Sequence, residues 1–102
     1  KPMVPAEVEQ PLFEIKPGEV AKYRKDSLIW ASFARKAGGF HGYHTMKRLE
    51  YKNQYASVYE WENKTSHDRF MDKFHDWLVE KSKARVKVLG YYNLKRLDRV
   101  RD

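Results

Sequence analysis

The chain has 102 residues, 41% of them hydrophobic and 15% aromatic, which suits one domain with a single core. It has no cysteine, which excludes disulfide scaffolds, thiolate metal sites and cysteine nucleophiles, and no apolar run reaches the ~20 residues of a membrane span. The formal net charge is +7, and Lys81, Lys83, Arg85, Lys87, Lys95, Arg96, Arg99 and Arg101 crowd its end, a surplus that attracts anions.

The first residue is Lys1, which is expected to follow a cut. Pro2, Pro5 and Pro11 mark residues 1–10 as an extended arm, because proline removes a ladder donor and argues against a central strand. The first strand is expected near Leu12 to Lys16, with an earlier start around Val8 as the alternative. Pro17-Gly18 ends it. From Glu19 to Ala37, Val20, Tyr23, Ser27, Trp30, Ala34 and Ala37 recur at steps of three and four, the period of an amphipathic helix. Glu19 in the first turn and Arg35 and Lys36 in the last suit the helix dipole, and Gly38 stands where a left-handed C-terminal residue is wanted.

Two strand-like runs follow, Phe40 to Tyr51 and Gln54 to Trp61, on either side of Lys52-Asn53. In the first, Phe40, His44 and Met46 are expected on one face and Tyr43, Thr45 and Leu49 on the other. In the second, Tyr55, Ser57, Tyr59 and Trp61 oppose Ala56 and Val58. A sheet with one wet side alternates more cleanly than this. One face can pack on helices. The other needs a cover, and a second copy of the chain is the simplest one. A second helix is expected over Thr65 to Lys83, with Phe70, Met71, Phe74, Trp77 and Leu78 inward and Asn63 or Thr65 as cap. A last strand falls near Val86 to Leu97, with Tyr91 or Tyr92 inward. The element order is therefore βαββαβ in a domain over 11–97, followed by a basic tail over 98–102.

Candidate chemistry is sparse. His67 sits one turn before Phe70 and Met71, at the head of the apolar helix face, and can serve as a base or as a hydrogen-bonded wall residue. His75 borders the same face, and His41 and His44 flank Gly42. No His pair has the spacing of a helical metal site, so no metal is expected. Trp61 ends its strand as a core or pocket-wall residue. There is no phosphate loop, nucleophile elbow or carboxylate pair. Catalysis would rest on a pocket that orients a substrate.

The Lys16-Pro17-Gly18 turn before a long helix, Gly39-Phe40-His41-Gly42-Tyr43 opening the second strand, Glu60-Trp61-Glu62 closing the third, and the helix Thr65 to Lys83 together resemble the antibiotic biosynthesis monooxygenase family over roughly residues 8 to 97. The resemblance implies an α+β fold. Its protomer is ferredoxin-like with an antiparallel sheet, and two protomers form a homodimeric α+β barrel with a small pocket between sheet and helices in each. It also implies cofactor-independent oxidation of a small aromatic or quinol-type substrate; neither a membrane nor a nucleic acid is the expected partner. Haem is the rival ligand, because another branch of the family degrades it. By the spacing of that branch, Pro11, Phe70 and Glu80 stand where its Asn, Trp and His would be. In the anthrone-oxidising branch an Asn precedes the strand-ending Trp by four, and here that position is Ser57. With this resemblance, His67 and His44 become the expected catalytic pair. Trp61, Tyr43, Phe70 and Phe74 become the expected substrate-binding walls.

Two other classes share the element order. An RNA-recognition module reads bases with aromatics on its central strands, and Tyr55-Ala56-Ser57-Val58 partly mimics its signature. Asn53-Gln54, Ser57 and Glu60 depart from that signature. A barrel without catalysis is the third class.

Overall fold

The computed structural model describes residues 7–98, so residues 1–6 of the expected arm over 1–10 and the end of the basic tail lie outside the described residues, while residues 7–10 of that arm are strand. The order is β1 (Glu7–Glu14), a 3-10 turn (Pro17–Glu19), α1 (Val20–Ala37), β2 (Phe40–Lys47), β3 (Gln54–Trp61), α2 (Lys64–Lys81) and β4 (Lys87–Lys95). The four strands form one antiparallel sheet in the order β2-β3-β1-β4. This is the expected ferredoxin-like βαββαβ fold, with both helices on one face.

The first strand departs from expectation. It begins at Glu7, beside the earlier expected start at Val8 rather than near Leu12, and it is central despite Pro11. The pairing explains how. The β1–β3 ladder holds at Glu7 to Glu9 and resumes at Leu12, so the missing proline donor falls in a gap. The β1–β4 ladder runs through Pro11↔Tyr91 without a break. One missing bond is tolerated when the other neighbour is continuous.

The second departure is a bulge between Phe40 and Gly42 in β2. It turns Phe40 to the helix side, where its ring lies 5.3 Å from that of Trp61, instead of sharing a face with His44 and Met46. The strand also ends at Lys47 rather than Tyr51.

Ala34, Tyr59, Trp61, Phe70 and Leu78 form the buried core, flanked by Trp30, Phe33, Phe40, Met71 and Phe74. Removing a ring such as that of Phe70 from such a core costs about 3–5 kcal/mol. Asn63 caps α2 by accepting from the Ser66 N–H at 2.9 Å. The α1–β2 turn is two glycines at positive φ, 83° and 73°. A Cβ on Gly39 would lie 2.2 Å from Ser66 Oγ, so the turn seats directly on the start of α2. The sheet face away from the helices is open and partly apolar, with His44 and Glu60 also on it. Met46, Tyr92 and Leu94 are about half exposed there, beside Val8, Leu12 and Val58.

Candidate functional site

Between the helices and the inner sheet face lies a cavity of about 340 Å³. That volume is within the range of small-molecule sites. Glu9, Pro11 and Phe13 of β1, Ser57 and Tyr59 of β3, and Val88 and Tyr91 of β4 form its sheet wall. Tyr23, Asp26, Ser27 and Trp30 of α1 and Met71, His75 and Val79 of α2 form its helix wall. The segment after α2 closes it with Ser82, Ala84 and Val86.

Strand periodicity explains the sheet wall. Glu7, Glu9, Pro11 and Phe13 alternate onto the inner face, opposite Trp61, Tyr59 and Tyr55 in register. The wall segment after α2 is not part of the sheet, and α1 holds it. Asp26 Oδ2 accepts the N–H groups of Lys83 and Ala84 at 2.9 and 2.8 Å. Glu19 Oε1 accepts that of Arg85 at 2.8 Å, and this bond is the first reason the Glu19 carboxyl titrates below its usual range. The Trp30 indole N–H donates to Ser82 Oγ at 2.9 Å.

The cavity has two polar poles. At one, the Tyr23 hydroxyl lies 2.5 Å from Ser57 Oγ, which is 3.2 Å from the Tyr43 hydroxyl. Thr45 Oγ1 donates to Tyr43 at 2.9 Å and leads to the exposed surface of β2. Burial pushes the Tyr23 phenol well up, so it stays a neutral hydrogen-bonding group.

At the other pole the Tyr91 hydroxyl donates to Glu9 Oε2. Glu9 is only 4% exposed. Its other oxygen is 3.2 Å from His67 Nε2, and His67 Nδ1 is 3.4 Å from Glu7 Oε1 and 3.3 Å from Asp68 Oδ1. Burial alone would depress the His67 imidazole. The carboxylates of Glu9, Glu7 and Asp68 outweigh it and raise the pKa above 6.5. Burial first, then the charge of Glu9, pushes the Tyr91 phenol up. Among the described residues, no Lys or Arg lines the cavity, although the chain carries 21 of them. The described part of the basic surplus therefore lies outside the cavity, whose charged lining is Glu9 and Asp26.

The residues expected from sequence are placed as follows. His67 lies behind Glu9 and does not line the cavity. Tyr43 touches the cavity residue Ser57 through its hydroxyl. Trp61 and Phe70 are fully buried core, their rings 5.3 Å apart, and Phe74 packs on Phe33 at 5.3 Å. His44 is on the open sheet face, its Nε2 3.3 Å from Glu60 Oε2 and its side chain 61% exposed. His67 and His44 are thus not brought together. Glu9, Tyr91, Tyr23 and Ser57 were not among the expected residues. The signal for Glu9 was present as Glu7 and Glu9 at strand spacing, but the prolines hid the strand.

No family model matches the sequence, and no curated protein matches it. Solved structures do match the fold. The chain is similar to SnoaB of Streptomyces nogalater, a cofactor-independent oxygenase, with 12% identity, a TM-score of 0.75 and coverage of 97% of this chain and 100% of that one. A candidate antibiotic biosynthesis monooxygenase of Deinococcus radiodurans matches with 12% identity, a TM-score of 0.75 and coverage of 94% and 97%. Another, from Bordetella bronchiseptica, matches with 21% identity, a TM-score of 0.68 and coverage of 92% and 99%. The protein therefore has the ferredoxin-like α+β fold of antibiotic biosynthesis monooxygenase-like proteins.

Proposed function

We propose that the protein is a cofactor-independent monooxygenase acting on a small, neutral, electron-rich aromatic or quinol-type substrate. The observation that carries this is the cavity itself. It is apolar and aromatic-walled, and it has a buried carboxylate bonded to a half-exposed phenol at one pole and a neutral hydroxyl cluster at the other. A conjugated anion formed there can react with dioxygen directly. The absence of Lys and Arg from the described lining favours a substrate that enters uncharged. The similarity to SnoaB supports the same reaction class.

Oxygen uptake with an anthrone and hydroquinone panel tests this, with haem plus reductant as the rival. Uptake on an anthrone, with the quinone and water as products, is the expected result. Turnover of haem alone, or of nothing, sinks the reading.

The open sheet face supports assembly as a homodimer, because Val8, Leu12, Val58 and Leu94 would otherwise stay in contact with water. The inner-face placement of Tyr55 and Tyr59 argues against RNA recognition. Tyr59 is buried, and Tyr55 packs 6.1 Å from Tyr23. Neither ring is presented on the open face for base stacking.

A further inference from the structure

We infer that Tyr91 and Glu9 act as a proton relay in this cavity: Tyr91 takes a proton from the substrate as its own hydroxyl proton passes to Glu9. The inference rests on the oxygenase reading above and names the residues that would carry its first step.

The geometry leads to a relay rather than to direct attack by the carboxylate. Neither oxygen of Glu9 is open to a ligand. Oε1 faces His67 Nε2 at 3.2 Å and is shut off from solvent. Oε2 accepts the Tyr91 hydroxyl. The carboxylate is thus fixed and aimed at one partner, and that partner is on the cavity wall. Tyr91 is 45% exposed against 4% for Glu9, so it is the member of the pair a ligand reaches first. Its phenol is pushed up by burial and by Glu9, so a free phenolate is disfavoured and the two proton movements are coupled. Glu7 is on β1 with Glu9, and His67 and Asp68 come from α2. β3 contributes Tyr59, whose phenol burial also pushes up.

For a substrate with an acidic CH₂ next to a conjugated carbonyl, the steps balance. A C–H bond breaks and its electron pair stays on the substrate as the conjugated anion. The proton goes to the Tyr91 oxygen, and the Tyr91 proton goes to Glu9 Oε2. The anion gives its electrons to dioxygen and a C–O bond forms, leaving a peroxide anion. The proton returns from Glu9 through Tyr91 to the peroxide. Loss of water from the hydroperoxide leaves C=O. One substrate and one dioxygen give one carbonyl product and one water, with Tyr91 and Glu9 restored.

The test separates proton transfer from oxygenation. Anthrone deuterated at its methylene is incubated without oxygen, and loss of deuterium to solvent is followed by NMR. Anthrone affinity is measured by fluorescence, and folding by circular dichroism. Glu9→Gln keeps an oxygen for Tyr91 but cannot take the proton. Tyr91→Phe removes the hydroxyl. Both variants are expected to lose exchange by about 100-fold or more, the usual size of a general-base effect, while affinity changes less than about threefold. Exchange that survives in either folded variant overturns the relay. A Tyr91→Phe variant that keeps exchange while Glu9→Gln loses it would mean direct proton uptake by Glu9. Exchange in the wild type that both variants lose, without oxygen uptake in air, supports the relay and sinks the oxygenase reading alone. Wild-type protein that neither binds nor exchanges anthrone overturns both.

Discussion

The Tyr23 hydroxyl and Ser57 Oγ meet at 2.5 Å, joining the first turns of α1 to the middle of β3 across the head of the cavity. Both residues are buried, and each would be left without this partner if the other were truncated. Ser57→Ala is therefore expected to cost about 1–3 kcal/mol, the usual price of stranding a buried polar group. Urea denaturation checks it. A loss below a few tenths of a kcal/mol would mean that Tyr23 finds another partner.

Stability should depend on the charge of His67. Its folded pKa is raised above 6.5 by Glu9, Glu7 and Asp68 against the opposing effect of burial. A raised pKa stabilises the fold fully below the unfolded value and less as pH rises through the folded value. The advantage of wild type over His67→Gln is thus expected to be largest near pH 6 and to shrink from pH 6.5 upward. Melting temperatures across that range measure it. An advantage that is flat or grows with pH would contradict the ion-pair geometry.

The turn between α1 and β2 should tolerate no side chain at Gly39. Its φ is 73°, and an added Cβ would meet Ser66 Oγ at 2.2 Å and Ser66 Cβ at 2.6 Å. The left-handed backbone alone costs roughly 1–2 kcal/mol for alanine, and the contact adds to it. Gly39→Ala is expected to lower the melting temperature by at least several degrees. Gly18→Ala, where the added Cβ meets nothing, is the control.

The open sheet face should carry the dimer contact. Sedimentation at micromolar concentration is expected to give twice the 12.3 kDa of one chain. Val58→Glu places a charge at the middle of that face, opposite His44 in register, and is expected to leave a folded monomer. A wild type that sediments only as a monomer would refute the contact.

The fold was legible where residue type and spacing agree. The helical stripes of Tyr23 to Ala34 and Phe70 to Leu78, the β3 run and the Asn63 cap are all local signals, and each element lies within a few residues of its expected place. The β1 strand was not, because Pro11 in a central strand is allowed only by a gap in one ladder, which is a property of two partners. The bulge at His41 was hidden for the same reason, and with it the true face of Phe40. The site was least legible. Aromatic residues near His67 were expected as pocket walls, but Trp61 and Phe70 fill the core. The cavity opens instead where smaller groups such as Ser27, Ser57, Ser82 and Ala84 leave space. Which of several aromatic stretches packs solid depends on volumes summed over four elements, and no single stretch of sequence carries that sum.

The wall segment over 82–86 hangs from α1 through Asp26, Glu19 and Trp30 and does not belong to the sheet. Its length can therefore change without disturbing any strand register or the packing of Trp61 on Phe70. Residues added or removed between Ser82 and Val86 would enlarge or shrink the chamber while the rest of the architecture stays put. Evolution, or an engineer, has there a dial for chamber size that is uncoupled from foldability.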